Sequence, residues 1–114
     1  MAGRLVLFVS HADATALGLA GSCALAAVSM GDRVDVFLFG EAVPAVVGGA
    51  DDADSPAALL WQARGAGPCR LLACSASVLS EEVDPAAADA ALDAIVGWPT
   101  VLEWSRGVAD RFFF

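Results

Sequence analysis

Four side chains carry most of the chemistry this sequence offers: Cys23, Cys69, Cys74 and the single histidine, His11. A thiol attacks as its thiolate, and an imidazole in reach can serve as the base that removes the proton. Cys74 stands in Arg70-Leu71-Leu72-Ala73-Cys74-Ser75-Ala76-Ser77, which reads as a short buried strand running into a helix start. Gly65, Gly67 and Pro68 bound the strand upstream, and Ser75 or Ser77 offers a hydroxyl to cap the following turn. A thiol at that joint faces the positive end of the helix dipole, which favours the anion. The plain alternative is packing, since free cysteine is among the most buried residue types. Packing is the reading taken for Cys23, which falls inside a helical run.

Other chemistries are excluded by composition and spacing. One histidine makes a zinc site from a single chain improbable, so no metal is expected. Cys69 and Cys74, five apart on a strand, stand roughly 16 Å from each other on opposite faces, too far to bridge. The aspartates of the loop 48–55 lack the ligand ladder and closing glutamate of a calcium loop. The turn Ser10-His11-Ala12-Asp13 has no glycine and hence no phosphate-binding fingerprint, and no cofactor is implied. Ala73-Cys74-Ser75-Ala76-Ser77 lacks the glycines of a serine-hydrolase elbow. The chain has no lysine, which rules out a receiver-type phosphorylation site. With fourteen acids against six arginines and a formal charge of −8, nucleic acid is not an expected partner.

The elements that must position these residues follow in order. Arg4–Ser10 and Arg33–Phe39 are apolar strand runs, joined by a helix capped by Asp13 or Thr15 and stopped at Gly31 after Met30. A short helix over Glu41–Val47 is expected to break at Pro44. Ser55-Pro56 opens a helix through Trp61 to Arg64. After the Cys74 strand come a helical turn over Val78–Glu82, a helix over Ala86–Leu92, and a fourth strand, Ala94–Trp98. A last helix spans Val101–Val108, with Glu103 and Arg106 on its polar side, and Arg111–Phe114 is a terminal strand. The apolar run near the N-terminus is too short for an export signal. Residues 14–30 are too rich in Ala, Gly and Ser to read as a membrane anchor.

Strand and helix alternate, which predicts one α/β domain over residues 1–114. The expected form is a flavodoxin-like three-layer sandwich with a five-stranded parallel sheet in the order 2-1-3-4-5. In that order strands 1 and 3 flank the switch point. His11 and Cys74 are then expected to share one crevice at the carboxyl ends of the strands, with Ser10, Ser75 and Ser77 on its walls. Hydrophobic residues make up 58% of the chain, a surplus that argues for self-association. Trp61, Trp98, Trp104 and Phe112-Phe113-Phe114 are the candidates for burial between subunits.

Three stretches together resemble the DsrE/DsrF-like (DsrE/TusD/YchN) family of small sulfur-relay proteins. They are the opening strand and helix leading to Asp35-Val36-Phe37-Leu38-Phe39-Gly40, the strand ending Leu72-Ala73-Cys74-Ser75-Ala76-Ser77, and the closing Val101-Leu102-Glu103-Trp104 … Ala109-Asp110-Arg111-Phe112. The resemblance implies that Cys74 matches the persulfide-carrying cysteine of sulfur-transferring members, with His11 as a neighbouring base or orienting group. It also implies a trimer or hexamer, with sulfur donor and acceptor proteins as partners; three cysteines without the spacing of a disulfide framework fit a reducing cytoplasm. Residues 80–94, rich in Ala and Asp, show no match to a docking surface. The alternative is a non-catalytic oligomeric module that binds a small ligand in the switch-point crevice.

Overall fold

Five aliphatic runs form the strands of a computed structural model that describes residues 3–108 and 110–114; Ala109, in the closing stretch, lies outside them. In chain order the elements begin with β1 (Arg4–Val9), α1 (Ala14–Ser29), β2 (Arg33–Leu38), α2 (Ala42–Gly48) and α3 (Ala58–Ala66). Then come β3 (Cys69–Cys74), α4 (Ser75–Ser80), α5 (Pro85–Ala91), β4 (Ala94–Val96), α6 (Trp98–Ser105) and β5 (Asp110–Phe113).

Local chemistry explains most boundaries. The Asp13 carboxylate accepts from the Ala16 N–H at 3.0 Å and caps α1. Gly31, at φ +90°, turns the chain beyond the end of that helix, where a side chain would be strained. Asp84 caps α5 by accepting from the Ala86 N–H, with Pro85 in the first turn. Several boundaries differ from expectation: α3 begins at Ala58 rather than at Ser55-Pro56, α4 spans Ser75–Ser80 with Cys74 as N-cap and no serine side chain capping it, and α6 ends at Ser105 rather than Val108. Pro44 does not break α2, because it sits in the first turn, where no intrahelical N–H is needed. Trp98 is not strand: β4 stops at Val96, Gly97 is the N-cap, and Trp98-Pro99 begin α6.

All strand pairs are parallel, in the order β4-β3-β2-β1-β5. The five-stranded parallel sheet and three layers agree with expectation. The detailed order 2-1-3-4-5 does not, because β2 rather than β1 lies beside β3. The cause is a buried charge. Asp35 on β2 is 5% exposed, and its carboxylate accepts from Arg4 of β1 at 2.8 Å and from Arg70 of β3 at 2.8 and 3.1 Å. A buried carboxylate is tolerable only when paired and hydrogen-bonded. Only a central β2 supplies an arginine from each side.

Each step from β1 to β4 moves the same way along the sheet, so right-handed crossovers bring α1 to α5 onto one face. Leu7, Val36, Leu71 and Ala73 pack there against Leu17, Val43, Leu60, Val78 and Ala88. The return from β4 to β5 reverses direction and lays α6 alone on the other face, where Val6, Phe37, Leu72 and Val96 meet Val101. Close approach of α1 to α3 depends on Gly21, where an added Cβ would stand 2.5 Å from Leu59 Cβ and 2.9 Å from the Leu60 nitrogen.

Candidate functional site at the carboxyl rim

Cys74 is the last residue of β3 and the N-cap of α4. Strand alternation and its pairing with Val96 put its side chain on the α6 face, at the end of the row begun by Arg70 and Leu72. It is 4% exposed. Phe39, at the end of β2, stacks on Trp98 of α6 with ring centroids 5.0 Å apart, so two aromatic rings stand at the same end of the sheet. The next residue, Ser75, lines a cavity of about 710 Å³ between α4, α5 and β4.

The serines and the histidine do not converge. Ser77 Oγ accepts from the Gly40 N–H at 2.8 Å, tying α4 to the turn after β2. Ser10 and His11 are exposed after β1, with Ser10 Oγ 3.2 Å from His11 Nδ1 and 3.4 Å from the Phe114 carbonyl oxygen. The expected common crevice is therefore corrected. Both His11 and Cys74 lie on the carboxyl rim, but β2 runs between their strands, which sets the strand ends about 10 Å apart. Of Ser10, Ser75 and Ser77, only Ser75 lines that cavity, which lies on the sheet face opposite the Cys74 side chain.

The other two thiols lie elsewhere. Cys69, first residue of β3, faces α1 and α3. Burial, and then the negative charges of Asp93 and Asp35, push its thiol up to about 12. Burial also raises Cys23, on α1. Near Cys69, Asp93 accepts from the Arg64 guanidinium at 3.0 and 3.1 Å and from the Leu71 N–H at 2.8 Å. Burial alone would push the Asp93 carboxyl up, but these bonds hold it below its ordinary range.

The polar cluster at the opposite, amino end of the sheet escaped the sequence reading. Burial pushes the Asp35 carboxyl up, and the hydrogen bonds and charges of Arg70 and Arg4 outweigh it, leaving the group below the usual carboxylate range. Arg70 also lies 4.5 Å over the Trp104 ring, which pins α6 to the sheet. The available signal was the presence of Arg4, Asp35 and Arg70 inside strands that are otherwise apolar. Among the described residues no three His, Cys, Asp or Glu side chains group as metal ligands, and no helix is long and apolar enough to cross a membrane.

With this geometry in view, two solved structures prove similar. The chain matches the ychN protein from E. coli with a TM-score of 0.77 at 16% identity, over 98% of this chain and 99% of that one. It matches MTH1491 from Methanobacterium thermoautotrophicum, a protein of unknown function, with a TM-score of 0.71 at 20% identity, over 96% and 98%. The likeness is one of fold. No protein-family model and no curated protein matches the sequence.

Proposed function

We propose that the protein is a sulfur-relay carrier in which Cys74 accepts and passes on a persulfide sulfur. The observation that carries this reading is the position of Cys74, at a strand-to-helix joint on the carboxyl rim. The fold shared with ychN supports it, because the sequence resemblance ran to the family that includes that protein.

The Cys74 thiolate attacks the outer sulfur of a donor persulfide, R–S–SH. The new S–S bond forms as the donor's S–S bond breaks, and the donor leaves as RS⁻ while the proton stays on the transferred sulfur. An acceptor thiolate then repeats the displacement and returns Cys74 as thiolate. No external oxidant or reductant is needed. His11 enters as a group on the same rim that orients or deprotonates an incoming thiol, without direct contact to Cys74.

The test is incubation with a low-molecular-weight persulfide donor, followed by intact and peptide mass analysis. One sulfur atom adds at Cys74, Cys74→Ala folds and adds none, and His11→Ala loads more slowly. Loading that persists in Cys74→Ala overturns the reading.

Self-association as a trimer or hexamer belongs to the same proposal. Phe113, Trp98 and Leu102 are 75%, 52% and 53% exposed, an apolar surface suited to burial between subunits. A monomer mass by light scattering at micromolar concentration would refute it. A second reading, a non-catalytic binding module, is favoured by the cavity alone. It predicts that none of the three thiols takes up sulfur.

A further inference from the structure

We infer that the groove between α4, α5 and β4, on the sheet face opposite the Cys74 side chain, docks a basic, apolar segment of a partner protein. Its walls are aliphatic: Val78, Leu79, Val83, Pro85 and Ile95. Leu79 is 81% exposed, the most exposed large apolar side chain among those described, and stands unpartnered beside the groove. Ser75 also lines it.

The groove's charge is of one sign. Glu82 and Asp84 line it, Glu81 is exposed beside them, and no arginine is on its walls. Among the described residues neither glutamate takes part in an ion pair. Glu82 is also held at φ +54°, the only described non-glycine residue with positive φ. It is the C′ residue of α4, with its N–H bonded to the Leu79 carbonyl and the Val83 N–H to the Val78 carbonyl. That position favours glycine, so this carboxylate stands there against its backbone preference.

Nucleic acid, phosphate and acidic lipid would be repelled. A small cation would leave Leu79 uncovered. An extended segment alternating lysine or arginine with aliphatic residues satisfies both the acids and the apolar wall.

The probe is a cysteine-free hexapeptide alternating leucine and lysine, titrated into the full chain and its Cys74→Ala variant with amide chemical shifts as readout. Saturable shifts confined to residues 75–85 and 95, equal in both proteins and weakened by salt, are expected. Because the probe has no thiol, its binding succeeds or fails independently of sulfur transfer. The Glu81→Gln/Glu82→Gln double variant should bind about fivefold more weakly, and Leu79→Ser also more weakly. Glu82→Gly should melt about 5 °C higher while binding the probe less well, an opposition that a purely structural glutamate would not produce. No saturable binding, shifts centred on the acidic loop 51–54, equal binding of a lysine–serine peptide, or groove shifts that depend on protein concentration without peptide would each overturn the inference. The last would mean that a second copy covers the groove.

Discussion

The two ends of β3 carry the same residue type at nearly the same burial, 6% exposed for Cys69 and 4% for Cys74, yet they are built for different work. At the amino end the charged groups are used up on one another. Asp35 is held between Arg4 and Arg70, and Asp93 is held by Arg64 and a backbone N–H. Cys69 sits among them as a thiol that burial and two carboxylates keep protonated. At the carboxyl end no ion pair among the described residues is formed around Cys74, and the stacked rings of Phe39 and Trp98 stand at the same end of the sheet. Burial alone does not separate a packing thiol from a candidate site. What the neighbours do with their charges and hydrogen bonds does.

The largest effect that could break this comparison is chemical. With Cys69 near 12, its thiolate fraction at neutral pH is about three orders of magnitude below that of an unperturbed thiol. Alkylation followed by peptide mapping should modify Cys74 before Cys69 becomes detectable. Comparable rates at the two ends would erase the distinction.

The next effect lies at the amino end. Asp35→Asn removes the charge that both arginines share and should lower stability by about 2 kcal/mol, measured by denaturant unfolding, while leaving sulfur loading of the folded protein unchanged. The sign of its pH dependence follows from the depressed carboxyl. Its stabilisation is present above the unfolded-state value near 4 and is lost as pH falls through and below it. Wild type should therefore lose stability from about pH 5 to 3 more steeply than Asp35→Asn. The variant retains the same-signed contribution of Asp93. Parallel acid curves would remove Asp35 from the account.

A smaller effect tests the crowding at that end. A Cβ at Gly67 would stand 2.5 Å from Val28 Cγ1, and a branched valine on α1 has little room to yield. Gly67→Ala should destabilise by about 1 to 2 kcal/mol by overpacking; an unchanged melting temperature would show slack there.

The smallest is at the carboxyl end, where Ser77→Ala deletes the acceptor for the Gly40 N–H. It should cost about 1 kcal/mol and speed hydrogen exchange at Gly40. Unchanged exchange would mean that this bond does not hold the lip together.

Much of this architecture was legible in the sequence. The strand runs Arg4–Ser10 and Arg33–Phe39, the strand carrying Cys74 and the caps Asp13, Gly31 and Asp84-Pro85 are local signals, and the structure follows them within a residue or two. Trp98 was misread because apolar character continues past Val96. The proline that follows marks the first turn of α6 and so requires a helix start before it. The groove at residues 75–85 was missed outright. Its walls come from α4, α5 and β4, and only their packing turns Leu79, Val83 and Ile95 into one surface.

By itself, then, the sequence determined the alternation of strands and helices, the parallel sheet that this alternation demands, and the placing of Cys74 and His11 at carboxyl ends of strands. These follow from hydrophobic period, capping residues and the handedness of crossovers, all of which act over short stretches of chain. Tertiary structure alone decided which strands are neighbours. That choice depends on where a buried Asp35 finds two arginines drawn from β1 and β3, 31 and 35 residues away. Once β2 took the middle, His11 and Cys74 were separated by a strand, and the cavity formed by α4, α5 and β4 came to lie on the sheet face opposite the thiol.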